Sequence, residues 1–242
     1  WRRQCGIRVR VDSATKWVGG HGAAVGGVVI DGGNFDWEAS GRFPELTEPY
    51  EPFHGIKFWE EFGPSALAMK IRAESMRDIG ACMSPNNAFL LLQGIETLNM
   101  RMKQHIANTK AMVEWLQSQE QVTWVNHPDL PSNPSNAIAR ELFPNGAGSM
   151  LCFGVVGGRA GGGAFIDSLK LASNLANVGD SRTLVLHPGS TTHSRLTHDA
   201  MVAAGISEDL IRVSVGIEGI KDIQADFANG LRAAQRMAES QA

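Results

Sequence analysis

From Ile7 to Asp12 apolar and polar residues alternate. Ile7, Val9 and Val11 fall on one side and Arg8, Arg10 and Asp12 on the other, which predicts a half-buried strand. A second apolar run, Val25 to Ile30, is rich in β-branched residues and stops at the turn signal Asp31-Gly32-Gly33. Residues 34–62 hold three prolines and many aromatics and are expected to form a long functional or subunit-packing loop. Ser84-Pro85 predicts a helix start, with the serine as cap and proline in the first turn. Ile95, Leu98, Met102, Ile106, Thr109, Val113 and Leu116 then recur at three-or-four spacing. This predicts one long helix, in which Gly94 marks a close contact or a bend.

Beyond it the pattern alternates between strands and helices. Met150 to Val156, Thr183 to Leu186 and Leu210 to Val215 predict strands. Residues 127–136 read as a proline-punctuated loop and the glycine cluster at 157–163 as a flexible turn. A helix is expected over Ala164 to Ala176, and a last helix carries Ile220, Ile223, Phe227, Leu231 and Ala234 on one stripe. Strands and helices mixed in this way argue for α/β or α+β layers.

Composition narrows the function classes. The 242 residues, 43% hydrophobic and 19% charged with a net charge of −3, suit a globular protein without a basic nucleic-acid footprint. Cys5, Cys82 and Cys152 are odd in number and far apart, so a reducing, cytoplasmic setting is expected, with neither a disulfide framework nor a zinc ribbon. No apolar run reaches the roughly 18 residues of a membrane span. The chain opens without Met on WRRQCGIRVR, so it is expected to begin inside a longer protein.

Candidate chemistry lies at Ser13-Ala14-Thr15-Lys16. Hydroxyls at i and i+2 and turn N–H groups make an anion-binding concavity, and an amine beside it suits a phosphorylated aldehyde cofactor bound as a Schiff base. By spacing alone, a solvated surface lysine is the default reading. Arg212, flanked by apolar residues in IRVSVG, must either pair with an acid or face a site, where its planar fork suits a carboxylate. His187 and His193, in HPGSTTH, match no metal spacing and read as hydrogen-bonded structural residues, and His21 as a residue that fixes its loop.

SATKWVGGHG, HPGSTTH and IRVSVGIEGIKDI, in this order, resemble three signatures of the Cys/Met-metabolism family of pyridoxal-phosphate enzymes. The resemblance runs from Val11 to the C-terminus. GHGAAVGGVVIDGGNFDW and the long insert from Pro49 to Leu98 resemble the branch that sulfhydrylates O-acetylhomoserine. The implied fold is the C-terminal part of a fold type I, aminotransferase-like large domain followed by a smaller C-terminal α/β domain. The large-domain remainder would span residues 1–95 and the C-terminal domain 96–242.

The resemblance implies pyridoxal 5'-phosphate on Lys16, with Ser13 and Thr15 donating to its phosphate. Arg212 would bind the substrate α-carboxylate, and Asn177 would lie near that carboxylate and the lysine. The implied reaction is γ-replacement: acetate leaves O-acetylhomoserine and sulfide or a thiol adds, giving homocysteine or methionine. A methionine γ-lyase or cystathionine γ-synthase activity is the alternative within the family, and a non-catalytic folded fragment the alternative outside it. The family's homotetramers imply a homo-oligomer.

The family's acidic partner of the pyridine nitrogen, stacking aromatic ring and phosphate loop all lie upstream of the lysine, farther than the fifteen residues present. Asp12 is the only acid before Lys16 and stands too close to serve. The chain is therefore expected to hold the lysine and the carboxylate clamp without most of the cofactor cradle. Arg8 and Arg10 also replace apolar positions of the family strand, and a truncated or mis-framed coding sequence is the expectation that joins both departures.

Overall fold

In the computed structural model, residues 8–241 are described; Cys5 and Ile7 lie outside them. They form two compact units, residues 8–14 with 25–90 and residues 15–24 with 91–241. The lysine loop thus groups with the C-terminal unit.

In the N-terminal unit, β1 (Val9–Ser13) and β2 (Gly27–Asp31) form an antiparallel ribbon with Val11 opposite Val29. One-sided burial does not hold here, since Val11 is 73% exposed. The arginines of this strand meet partners at the surface: Arg8 donates to the Asn34 carbonyl at 2.8 Å, and Arg10 lies 2.5 Å from the Asp12 carboxylate. Neither pays the burial cost that a central strand would impose.

The expected long loop is largely helical turns. It contains α1 (Trp37–Ser40), α2 (Pro44–Thr47), a 3₁₀ turn (Glu51–Phe53) and α3 (Phe58–Phe62). Asp36 caps the Ala39 N–H, and proline takes the first position of α2. Its aromatics make a small core around Trp37, Leu46 and Phe58. α4 (Ala66–Ile71), a π-helical turn (Arg72–Met76) and α5 (Arg77–Ile79) follow.

The predicted long helix is two: α6 (Pro85–Glu96) and α7 (Leu98–Gln117), parted at Thr97. Ser84 caps the Asn87 N–H as expected. At the break both the Thr97 hydroxyl and the Arg101 guanidinium bond the Gly94 carbonyl, competing with the helical ladder. The predicted stripe holds in the second half of α7, where Thr109, Val113 and Leu116 are buried together with Met112. In its first half Leu98, Met102 and Ile106 are only half-buried and Arg101, His105 and Asn108 are buried instead, while Ile95, in α6, is exposed.

The C-terminal unit is built on a five-stranded sheet in the order β3-β4-β7-β6-β5. Its strands are β3 (Val122–Asn126), β4 (Met150–Val155), β5 (Ser173–Asn174), β6 (Leu184–Leu186) and β7 (Leu210–Ser214). All neighbours are antiparallel except β5 with β6. Between the strands and after them run α8 (Asn136–Leu142), α9 (Gly158–Asp167), α10 (His198–Ala203) and α11 (Ile220–Glu239). One sheet face supplies Leu151, Phe153, Val155, Ile211 and Val213 to a core shared with α7, α9 and α11. Phe153, Phe165 and Phe227 meet there with ring centroids 5.4–6.2 Å apart.

The glycine cluster is not a flexible turn but the opening of α9. A Cβ at Gly161 would lie 2.0 Å from the Val156 carbonyl oxygen, and one at Gly162 2.7 Å from the His187 ring, so the helix packs where only glycine fits. α9 ends at Asp167, well before Ala176. The buried Asp226 carboxylate instead accepts the N–H groups of Lys170, Leu171 and Ala172 at 2.8–3.0 Å, tying down an irregular link into β5. No helix among the described residues is long and apolar enough to cross a membrane.

Candidate functional site

The second face of the sheet carries the chemistry. Alternation along β7 sends Ile211 and Val213 into the core and Arg212 to the other side. There it stands opposite Cys152 on β4 and Leu186 on β6. Burial pushes the Cys152 thiol up from its ordinary pKa, and the nearby Arg212 charge partly offsets this. The Arg212 guanidinium is half-buried, yet among the described residues it has no carboxylate partner; its contact is the Asn177 carbonyl oxygen at 3.4 Å. The alternative of a structural salt bridge therefore does not hold among these residues.

Asn177 sits in the loop between β5 and β6. The Ser214 hydroxyl, at the end of β7, accepts the Gly179 N–H at 2.9 Å and fastens this loop to the arginine strand. Gly179 has a left-handed φ of 73°, and a Cβ there would lie 2.6 Å from the Trp17 nitrogen. Glycine is required because the loop runs directly against the residue after Lys16. The Lys16 amine donates a hydrogen bond to the Asn177 side-chain oxygen. Trp17 is held in turn by its indole N–H, which donates to Ser149 Oγ at 2.9 Å.

Lys16, Asn177 and Arg212 thus converge, with Asn177 bonded to both of the others through different oxygens. Thr15 is half-buried at the start of the lysine loop. Ser13 ends β1 in the N-terminal unit and is exposed. His21 Nδ1 lies 2.8 Å from the Gly19 carbonyl, within its own loop. His187 is buried between Ser190 Oγ and the Glu208 carbonyl, both at 2.8 Å, as a structural residue would be. His193 Nδ1 lies 2.8 Å from Thr192 Oγ1.

A family model described as Cys/Met metabolism PLP-dependent enzyme matches residues 4–232. The chain belongs to this family. Among its relatives, sulfhydrylase FUB7 of Gibberella moniliformis is 48% identical over 95% of this chain and 53% of its own length. O-acetyl-L-homoserine sulfhydrylase 1 of Thermus thermophilus is 45% identical over 93% of this chain and 53% of its own length. Among solved structures, a Campylobacter jejuni protein assigned as an O-acetylhomoserine (thiol)-lyase superposes with a TM-score of 0.86 at 31% identity. That match covers 95% of this chain and 55% of the Campylobacter chain, which carries N'-pyridoxyl-lysine-5'-monophosphate. The α/β architecture is that of the fold type I enzymes of this family, and the chain spans about half the length of the relatives it matches.

The described residues offer groups that suit part of a pyridoxal-phosphate site. Lys16 presents an amine oriented by a neutral amide oxygen, and Arg212 presents a fork without a carboxylate partner among them. Residues that the sequence reading missed are the ones that hold these groups: Arg101, Ser149 and Ser214. Arg101, His105 and Asn108 fall at i, i+4 and i+7 of α7, a polar stripe at helical spacing that could have marked a buried polar seam.

Proposed function

We propose that the chain carries the lysine-and-carboxylate-clamp part of a pyridoxal-phosphate enzyme that performs γ-replacement on O-acetyl-L-homoserine with sulfide or a thiol. The observation that carries the reading is Asn177 bonded at once to the Lys16 amine and to Arg212, a guanidinium with no carboxylate partner among the described residues. The relatives named as O-acetylhomoserine sulfhydrylases supply the substrate class.

When bound, pyridoxal phosphate supplies an electron sink for charge developing on the substrate α-carbon. Lys16 would hold its aldehyde carbon and afterwards move protons between substrate carbons. Asn177 orients the amine for both tasks, and Thr15 and Ser13 would donate to the phosphate. Arg212 would take the substrate α-carboxylate bidentately, the contact its geometry on β7 leaves free. Specificity would rest on the amino-acid half, since sulfide presents little to recognise. We also assign residues 1–95 to a large domain and 96–242 to the C-terminal domain. A cytoplasmic homotetramer acting on small molecules completes the reading.

The test is to incubate the purified chain with pyridoxal phosphate and record visible absorbance, with Lys16→Ala as control. The loaded protein is then given O-acetylhomoserine and sulfide, or methionine alone. Homocysteine formation that is lost in Lys16→Ala supports the reading. Methionine breakdown without sulfhydrylation would overturn the branch, and equal absorbance in both proteins would overturn the lysine assignment.

A further inference from the structure

Arg101 is 6% exposed and, among the described residues, has no carboxylate partner. It stands in the first turn of α7, where the helix dipole opposes a cation. Burial also pulls its pKa below the ordinary value for arginine. A buried cation in this place is costly unless its donors find acceptors, and four of its five N–H groups do, three of them on backbone carbonyls. Nη1 donates to Trp17 O at 2.9 Å, and Nη2 donates to Val18 O at 3.3 Å and Gly94 O at 2.6 Å. Nε donates to Thr97 Oγ1 at 3.1 Å, which fixes the plane of the guanidinium.

Trp17 and Val18 are the two residues after Lys16. The turn they belong to is closed by the Gly20 N–H, which donates to the Lys16 carbonyl at 2.7 Å. The fit of the guanidinium beneath this turn leaves no room for side chains. A Cβ at Gly20 would lie 2.2 Å from Arg101 Nη1, and one at Gly94 2.4 Å from the Gly19 carbonyl oxygen. The charge is thus spent on the direction of three peptide groups, two of them in the turn that aims the lysine.

We propose that Arg101 is a positioning residue for Lys16: by gripping the carbonyls of Trp17 and Val18 it fixes the turn from which the amine reaches Asn177. Its link to cofactor chemistry rests on the assignment of Lys16 as the pyridoxal-phosphate lysine. The grip on the turn stands on geometry alone. Arg101→Met removes the donors while keeping an unbranched side chain, and Arg101→Lys returns the charge with fewer donors. Thr109→Val, also buried on α7, is the control for general destabilisation.

Each protein is treated with limiting pyridoxal phosphate and reduced with borohydride, and peptide mass spectrometry gives the labelling ratio of Lys16 to the exposed Lys110. Deuterium uptake of residues 15–24 is measured on the same unlabelled proteins. In Arg101→Met the ratio falls, and loop exchange rises, each by about tenfold or more, the factor set by losing a charge-assisted hydrogen bond. Arg101→Lys recovers part of both, and Thr109→Val lowers only the melting temperature. If Arg101→Met does not fold, Arg101→Lys carries the test, with a smaller change in both readouts than a tenfold shift. Unchanged loop exchange overturns the proposal, as does faster exchange with an unchanged ratio in a wild type that prefers Lys16. A wild type that labels Lys16 no more than Lys110 counts instead against the cofactor assignment, and the exchange result then decides the grip by itself.

Discussion

Lys16 and Asn177, 161 positions apart in the chain, are joined amine to side-chain oxygen, and the backbone oxygen of the same asparagine meets Arg212. A neutral acceptor orients the amine without favouring its protonated form. A carboxylate in its place would favour the charged lysine, which is not nucleophilic. Asn177→Asp is therefore expected to move the pH dependence of pyridoxal-phosphate labelling at Lys16 to higher pH. Asn177→Ala is expected to lower the labelling rate about tenfold, the loss of one hydrogen bond that orients the amine. An unchanged profile in both variants would show that Asn177 does not govern the lysine.

Two helical glycines should respond oppositely to alanine. At Gly94 a Cβ would meet the carbonyl oxygens of Gly19 and Val18 at 2.4 and 2.5 Å, both backbone atoms that cannot step aside. Gly94→Ala should cost about 1–3 kcal/mol or more. At Gly163 nothing lies within 4 Å of the new methyl, so Gly163→Ala should gain about 0.5–1 kcal/mol from helix propensity. Urea denaturation midpoints of the two variants should move in opposite directions from the wild type.

Asp226 anchors the link between α9 and β5 by accepting three backbone N–H groups. Asp226→Ala leaves those donors buried without a partner, and about 2–3 kcal/mol of stability should be lost. The loss should be accompanied by faster amide exchange at residues 170–172. Unchanged exchange there would show that the link is held by packing alone.

Stability should fall on mild acidification. Burial holds the His105 and His127 rings below the ordinary histidine pKa of 6.5, and for His105 the Arg101 charge adds to this. His105 donates from Nδ1 to the Val215 carbonyl, and its other nitrogen has no partner among the described residues. Below about pH 6.5 the unfolded chain binds protons that the folded rings refuse. The contribution is thus complete above about pH 6.5 and is lost as the pH falls towards the folded-state values. Thermal melts from about pH 8 to about pH 5.5 should show this decline, and His105→Gln should make it shallower.

Much of the C-terminal unit is legible in the sequence because its elements bury one side only. The β7 alternation places Arg212 opposite the core, and the apolar stripe of α11 runs as its spacing predicts. The pattern fails where polar side chains do the packing. Arg101, His105 and Asn108 are buried on α7 because the carbonyls they bond, at Trp17, Val215 and Gly216, come from distant segments. The glycines of α9 fail in the same way: they mark close contacts with Val156 and His187, which spacing cannot distinguish from chain flexibility. For the site, spacing suggests an anion-binding turn around Lys16, but only three motifs in order tie it to a cofactor. Asn177 emerges as the shared partner once the loop is folded against Trp17.

The central claim, that Lys16 is the cofactor lysine of this chain, is tested most directly by reducing its mixture with pyridoxal phosphate and mapping the modified peptides. The account predicts a pyridoxyl group concentrated on Lys16, diminished by Arg212→Ala less than by Asn177→Ala. Labelling spread over the exposed lysines, with Lys16 no more modified than Lys110 or Lys221, would contradict it.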